Sequence, residues 1–450
     1  MNTPETPAQT GLQPETPATS ILEPAEHEAQ SKPEQELSAL GTLVPVRWRS
    51  IVTIVWLGQA IAIVASGAAA YALIWYITIT TESPLMLMLG TVFFFLPMAI
   101  IGPFSGTIVD RYSRKAIMII ADLGIAVSML VMAFIIMAGM ISIPVVFIAI
   151  AARSICTAFH QPAMLAAMPL LVPSRHLVRI NTLDQAVQAA GNIVSPAIGI
   201  LFFETIGLQA ALFADVGGAT FACLTLAAVT IPAAHMAKEQ RQTVRADMLA
   251  GLRIVRDVKG LTALFVLLAI GTAAFMPLAA LYTLMTYSHF GGGGFEAALV
   301  EAVFGSGFLL GSIVLTIWGG GKRLMYVVGA SLVLQGATFL VIGFLPSSMF
   351  VMFVVISGIS AVFGSFFNGP LNSIVQRCVS PERLGRVMAL MGVVTSLAAP
   401  VGLLIAAPLA EVIGITPWFI LGGAALISIA VIAALMPTVR TLDIRNQQQP

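Results

Sequence analysis

Three ionisable residues lie within otherwise apolar stretches of this chain: Arg153, Asp215 and Glu301. An unpaired charge inside a membrane costs about 2.5 kcal/mol or more, so each of them needs a partner or a function. At 1.5 Å per helical residue, Arg153 lies about 15 Å and Asp215 about 12 Å from the same end of their stretches. This similar depth makes Asp215 the leading partner for Arg153, whereas Glu301 is shallower.

Reversible proton binding is the chemistry that these residue types favour. A nearby cation favours the ionised form of a carboxylate and burial disfavours it, so movement of either partner changes the affinity for a proton. We predict that Asp215, with Glu301 as a second candidate, exchanges a proton while Arg153 tunes it. A static ion pair that holds two helices together is the alternative.

Other ionisable residues receive simpler interpretations. His160 lies beside Pro162 in the same apolar stretch as Arg153 and is interpreted as structural, with a proton relay as the alternative. Asp122 and Asp184 lie near the ends of their apolar stretches, and we assign both to the loop region described below.

The composition excludes a soluble protein. Of the 450 residues, 58% are apolar and 10% are charged, whereas soluble domains have about 25% charged residues. Cys156, Cys223 and Cys378 have no metal-ligand spacing, so we predict no disulfide and no metal site. The sequence has no nucleic-acid signal, and no cluster of acid/base or metal-binding residues typical of an enzyme.

Twelve apolar segments reach the length of about 20 residues that a membrane-spanning helix needs. They cover residues 50–73, 85–109, 117–140, 143–171, 183–203, 207–233, 261–286, 297–318, 324–345, 348–375, 387–409 and 415–436. When these segments alternate across a membrane, all of the 22 Lys and Arg residues except Arg153 fall on one side. Because Lys and Arg mark cytoplasmic loops, we expect both termini in the cytoplasm, and a multi-pass protein of a bacterial inner or plasma membrane.

An internal repeat divides the chain into two halves. The string Leu177–Leu183 matches Leu384–Leu390, and Glu204 matches Glu411 at the same offset. Parallel six-helix repeats are a known transporter architecture, so we predict an all-α polytopic membrane protein of twelve helices in two six-helix repeats. The predicted segments are a disordered cytoplasmic tail, an N-terminal half, a cytoplasmic linker, a C-terminal half and a second cytoplasmic tail, over residues 1–45, 46–233, 234–260, 261–437 and 438–450.

The loop after the second span combines a small residue, an acid and three cations: Gly106, Asp110, Arg111, Arg114 and Lys115. A small residue permits close helix packing, and an aspartate can cap a helix or pair with an arginine. This string, here called the latch motif, resembles the G-x-x-x-D-R-x-G-R-K loop of the major facilitator superfamily, with a serine at the second glycine. The resemblance implies that Asp110 latches the outward-facing form; the alternative is that the cations only set topology.

The fifth span contains Gly191, Ser195, Pro196 and Gly199. Proline and small neighbours permit a kinked, close helix crossing. This pattern resembles the antiporter motif G-x-x-x-G-P-x-x-G-G of facilitator-family exporters, with two glycines replaced. The resemblance implies export, and the alternative is the ordinary abundance of Gly and Pro in membrane helices.

Further strings resemble the macrolide-efflux branch of proton-coupled drug antiporters. They cover Arg153–Pro162, Pro169–Pro173 and Pro381–Val387. The resemblance implies secondary active export of hydrophobic small molecules, such as macrolide-like drugs, by proton antiport with alternating access. Export of an endogenous metabolite such as a siderophore, or transport of a lysophospholipid, is the alternative. The expected partners are substrate, protons and membrane lipid, with the proton gradient as energy source, no cofactor and a monomeric state.

Overall fold

Long α-helices form almost all of the structure, a computed structural model that describes Pro45, residues 47–231, 244–321 and 323–440, and Leu442. The predicted disordered tail, much of the predicted linker and the end of the C-terminal tail lie outside these residues. In the N-terminal half the helices are α1 (Trp48–Thr81), α2 (Pro84–Val109), α3 (Arg114–Met137), α4 (Ile143–Leu171), α5 (Leu177–Thr205) and α6 (Leu208–Ala228).

The second half follows a shorter helix, α7 (Val244–Asp257). Its helices are α8 (Leu261–Leu284), α9 (Gly294–Trp318), α10 (Leu324–Phe344), α11 (Phe350–Cys378), α12 (Pro381–Ile413), α13 (Ile415–Leu435) and the short α14 (Pro437–Arg440). Within the described residues, twelve helices are long and apolar enough to cross a membrane. The predicted all-α fold with twelve spans is therefore confirmed, while the exact domain boundaries stay predictions.

Several helices extend beyond the apolar segments that predicted them. Helix α1 continues to Thr81, α5 begins at Leu177, and α12 begins at Pro381. Hydrophobicity marks only the part of a helix inside hydrocarbon, and a helix can continue into the polar interface where water solvates its ends. Arg179 and Arg383 consequently lie within helices.

Helix α7 was not predicted, because its 14 residues lie in the polar stretch that was interpreted as a linker. Its buried residues Gly251 and Val255 face the C-terminal half, and Gly251 packs against the backbone of Arg386 in α12. Arg253, Arg256 and Lys259, in and just after α7, are exposed. The helix is therefore amphipathic, with an apolar side on the bundle and a basic side in solvent.

The alternation of the helices gives the bundle two distinct ends. One end, the basic face, carries every described Lys and Arg except Arg153. The other end, the acidic face, carries Glu82, Glu204, Glu296 and Glu411. The Lys and Arg residues that the sequence analysis assigned to one side of the membrane thus lie at one end of the bundle.

The two halves contact each other at the acidic face. Glu411 of α12 accepts hydrogen bonds from the Ser83 hydroxyl (2.7 Å) and from the backbone N–H of Leu85 (3.0 Å) at the start of α2. The carboxylate therefore lies at the positive end of a helix dipole in the other half. Nearby, Trp75 of α1 meets Tyr287 edge to face, with ring centroids 5.7 Å apart. These contacts close the acidic face.

Backbone contact between α10 and α13 holds the C-terminal half together. A methyl group added at Gly336 would lie 2.6 Å from the carbonyl oxygen of Gly423, and one added at Gly423 would lie 2.6 Å from that of Gly336. Helices approach this closely only where both carry small residues. The two glycines therefore fix the crossing of these helices.

Gly336→Ala is expected to lower thermal stability, because its methyl group overlaps the α13 backbone and overpacking costs about 1–3 kcal/mol. Gly329→Ala is the matched control in the same helix, since nothing lies within 4 Å of the added methyl group. Thermal unfolding of the detergent-purified proteins measures both. Equal melting temperatures for the two variants would contradict this packing argument.

Glu411→Gln is expected to loosen the acidic face, because a neutral amide accepts weaker hydrogen bonds than a carboxylate. The reporter is Ala297→Cys, a buried position in α9, in a protein whose three native cysteines are replaced. Maleimide should label this cysteine several times faster in the Glu411→Gln protein. Glu82→Gln, which neutralises an exposed residue of the same face, should leave the labelling rate unchanged; equal acceleration by both would argue against a specific role for Glu411.

Candidate functional site

Three charged residues of the described chain are buried, and all three lie in the N-terminal half: Asp122 in α3, Arg153 in α4 and Asp215 in α6. Two of them belong to the predicted site, and Asp122 does not. Since burial of an uncompensated charge is costly, the surroundings of each show how the helices accommodate it.

Arg153 and Asp215 are brought together by the fold. The Arg153 Nε and Asp215 Oδ2 atoms lie 3.8 Å apart, and the Asp215 side chain is fully buried. Ser66 of α1 connects the pair: its carbonyl oxygen accepts a hydrogen bond from Arg153 Nη2 (2.6 Å), and its hydroxyl donates one to Asp215 Oδ1 (2.5 Å). Asp215 Oδ2 has no hydrogen-bond partner among the described residues, so this oxygen is available to a proton.

Small residues in α1 and α6 position this network. Gly218, one turn after Asp215, packs against Ala62 and Ala65, and Gly58 packs against Thr225. These contacts bring α6 close enough to α1 for Asp215 to reach Ser66. Sequence reasoning did not single out Ser66, because a serine among alanines and glycines is common in membrane helices.

Glu301 lies apart from the pair. It is half-buried in α9, close enough to the hydroxyl groups of Tyr71 and Tyr282 for electrostatic interaction. Tyr71 belongs to α1 and Tyr282 to α8, so Glu301 lies where the halves meet. The structure therefore does not join Glu301 and Asp215 into one cluster.

The third buried charge, Asp122, was assigned to the latch region from its sequence position. In the structure Asp122 faces His160 of α4, with 3.3 Å between Oδ1 and the His160 Nε2 atom. This contact with α4 was not predicted, because the rotation of each helix decides which side chains meet and the sequence does not show it. The sequence signal for this contact was the position of His160 within an apolar stretch, where a polar side chain needs a partner.

The latch motif lies at the basic face, and its Asp110 and Gly106 do not make the contacts that the sequence predicts. Asp110 and Arg111 are exposed, and Asp110 has no ion-pair partner in the part of the chain that the structure describes. A methyl group at Gly106 would meet nothing within 4 Å. The close packing expected at Gly106 is absent, and Arg114 begins α3 with a buried Nε atom that lacks a hydrogen bond.

Lys115 has a local structural contact that the sequence did not predict. Its ammonium group donates hydrogen bonds to the carbonyl oxygens of Ala227 (3.0 Å) and Val229 (2.7 Å) at the end of α6. A cation there compensates the negative end of the helix dipole. Ser113, which replaces a glycine of the family motif, is the N-cap of α3 and accepts a hydrogen bond from the N–H of Ala116.

The antiporter-like motif forms the contact between α5 and α1. Gly191, Ser195, Pro196 and Gly199 are all buried. Along α1 they pack against Ile63, Gly67 and Ala68, and Gly199 touches the Ala68 backbone. Ser195 replaces a glycine in α5, and the glycine at position 67 of α1 makes room for it. The motif therefore supports a close helix crossing next to Ser66.

Polar residues exposed within spanning helices mark a cavity. Gln161 of α4, Gln185 and Asn192 of α5, and Asn368 of α11 are exposed. Polar side chains at membrane depth face the bundle interior or a water-filled cavity. We therefore expect a water-accessible space beside these four residues, here called the cavity. No group of three metal-binding side chains occurs in the described residues.

Twelve apolar helices of spanning length and a buried charge cluster are the features expected of a membrane transporter. Residues 55–323 match the family model of the Major Facilitator Superfamily. Macrolide efflux protein A of Streptococcus pyogenes is 35% identical over 402 residues, covering 88% of this chain and 98% of that protein. The chain therefore belongs to the Major Facilitator Superfamily, in its macrolide-efflux branch, and is a multi-pass transporter rather than an enzyme.

A more distant relative is also an efflux pump, and a solved transporter structure has a similar fold. Multidrug efflux pump Tap of Mycolicibacterium fortuitum is 26% identical, over 81% of this chain and 90% of the pump. The crystal structure of the nucleoside transporter NupG superposes with a TM-score of 0.66 at 13% identity, covering 89% of this chain and 100% of that structure. The NupG likeness supports the fold alone.

Removing one member of the Arg153–Asp215 pair should destabilise the protein more than removing both. A single loss leaves a buried charge uncompensated, at a cost of about 3–5 kcal/mol. We expect Arg153→Met and Asp215→Leu each to lower the melting temperature, and the double variant to recover most of the loss. Thr157→Ala, whose hydroxyl bonds only to the Arg153 carbonyl of its own helix, is the control. If the two single losses simply add, the residues are not coupled.

Proposed function

We propose that this transporter exports macrolide-like hydrophobic drugs across a bacterial cell membrane by proton antiport. The observation that carries the proposal is the 35% identity to macrolide efflux protein A over nearly the full length of that protein. The match includes the helices that hold Arg153 and Asp215. The basic face is proposed to lie in the cytoplasm, with both termini there, as Lys and Arg distribution favours.

The buried pair supports the proton as the coupling ion. Asp215 is held by one cation and one hydroxyl, while its Oδ2 atom has no hydrogen-bond partner. When Asp215 takes up a proton, its attraction to Arg153 falls, and the guanidinium retains the Ser66 carbonyl as its partner. Protonation thus changes the contacts between α1, α4 and α6, which is what coupling to a conformational change requires.

The contacts between halves support alternating access. The acidic face is closed by Glu411 and the Trp75–Tyr287 pair, whereas Asp110 at the basic face has no ion-pair partner among described residues. This arrangement is the one expected of a state open to the cytoplasm. The opposite state would break the acidic-face contacts and engage the latch motif.

Export of an endogenous metabolite or a lysophospholipid is the second candidate. The cavity combines exposed amides with apolar helix surfaces, which suits an amphipathic solute of any of these classes. The similarity to macrolide and multidrug pumps favours drugs.

The deciding measurement is erythromycin accumulation in everted vesicles from an efflux-deficient bacterium that expresses the chain. An acidified lumen should drive accumulation, and a protonophore should abolish it. Asp215→Asn should abolish gradient-driven accumulation, because an amide side chain does not bind and release a proton as a carboxylate does. Asp257→Asn, which neutralises an exposed residue of α7, is the matched control and should transport normally.

Two results would contradict the proposal. If Asp215→Asn transports erythromycin at the normal rate under a pH gradient, Asp215 is not the coupling site. If the chain neither accumulates erythromycin nor reduces macrolide susceptibility, while the metabolite export profile of the cell changes, the second candidate replaces the first.

A further inference from the structure

Asp122 and His160 form a second buried ionisable pair inside the N-terminal half, separate from Arg153 and Asp215. The Asp122 side chain is 6% exposed and that of His160 is 15% exposed. Asp122 Oδ2 and His160 Nε2 have no hydrogen-bond partner among the described residues, and Asp122 Oδ1 lies 3.3 Å from His160 Nε2. This distance is slightly longer than the hydrogen bond through which a carboxylate and an imidazole exchange a proton, and such contacts often tighten only during turnover.

The pair lies between Asp215 and the basic face. Arg153 and His160 are seven residues apart in α4, so two helical turns, about 10 Å along the axis, separate them on the same side of the helix. Going from His160 along α4 leads to the basic face at Leu171. Asp122 is close enough to Asp215 for the two carboxylates to interact electrostatically.

Side-chain exposure rises along this series. Asp215 is 0% exposed, Asp122 6% and His160 15%. The next residue in α4, Gln161, is exposed. Exposure therefore increases stepwise from Asp215 to His160.

The surroundings of Asp122 contain few other ionisable groups. From α4 it faces His160, and it lies within electrostatic range of Cys156 in α4 and of Cys223 and Asp215 in α6. Residues 50–70 of α1 and 84–109 of α2 contain no ionisable side chain. His160 is thus the one imidazole, and Asp215 the one other carboxylate, that the packed helices place around Asp122.

We propose that Asp122 and His160 are a proton exit route that carries the proton from Asp215 to the cavity on the basic face. The proton leaves the Asp215 carboxylic acid and is taken up by the Asp122 carboxylate. It then passes to His160 Nε2, and the imidazolium releases a proton from Nδ1 to cavity water. Only O–H and N–H bonds form and break. His160 is left with its proton on Nε2, and proton exchange with cavity water restores the Nδ1–H tautomer before the next transfer. This inference rests on the proposed proton antiport.

The test separates proton release from substrate movement. Purified protein in liposomes is assayed for erythromycin transport driven by a pH gradient, and for exchange of labelled against unlabelled erythromycin at equal pH. Exchange needs the conformational change and the drug site, but no net proton transfer. The variants are Asp122→Asn, His160→Gln and the double variant, which keeps a neutral pair and so protects the fold. Asp257→Asn is the control.

We expect the three variants to slow gradient-driven transport at least about tenfold, as loss of a positioned acid–base group does, while exchange stays within about twofold of wild type. Asp122→Glu, which keeps a carboxylate at this position, should restore part of the gradient-driven rate. If both rates fall together with the melting temperature, or if neither rate changes, the exit route is overturned. A wild-type protein without any response to the pH gradient would instead overturn the proton antiport on which it rests.

Discussion

The need to compensate charge in an apolar interior organises the N-terminal half. Arg153 is tolerated at membrane depth because Asp215 faces it and the Ser66 carbonyl accepts its hydrogen bond. Arg153 and its two partners come from three helices, so the charge network requires α1, α4 and α6 to pack closely. The small residues that permit this packing, Gly58 and Gly218 among them, therefore serve the network as much as the fold. The antiporter-like motif extends the same principle to α5, which crosses α1 beside Ser66.

The two halves have diverged despite their internal repeat. In the described chain the buried charges lie in the N-terminal half, whereas the C-terminal half is held by apolar contacts and by glycine backbones such as Gly336 against Gly423. The aromatic cluster around Tyr282, which includes Phe339, Phe353 and Phe419, adds further packing contacts to this half. The buried charges of the described chain are thus concentrated in one half, and apolar packing predominates in the other. Glu411 joins the halves at the acidic face.

Much of this architecture was predictable from the sequence, because hydrophobic length and the distribution of Lys and Arg are direct consequences of the bilayer. Arg153 and Asp215 were recognisable for the same reason, and their equal depth suggested the pair. Helix rotation was not predictable, so the contact between Asp122 and His160 was missed and Glu301 was grouped with Asp215. Helix α7 was not predicted because it lies on the surface, where a helix has spaced apolar residues instead of a continuous apolar run. Lys115 shows a further limit: the motif drew attention to its charge, while its contacts to Ala227 and Val229 depend on where α6 ends.

The location of the buried charges has an electrical consequence. In the proposed antiport cycle Arg153 is cationic and His160 is neutral when it accepts the proton, so with both carboxylates ionised the four groups carry one net negative charge. A proton on Asp215 brings their sum to zero, and each proton that crosses the protein carries one charge. Moving one charge across the whole transmembrane potential involves about 2.3 kcal/mol per 100 mV. The membrane potential of the cell therefore acts on the proposed proton step together with the pH difference.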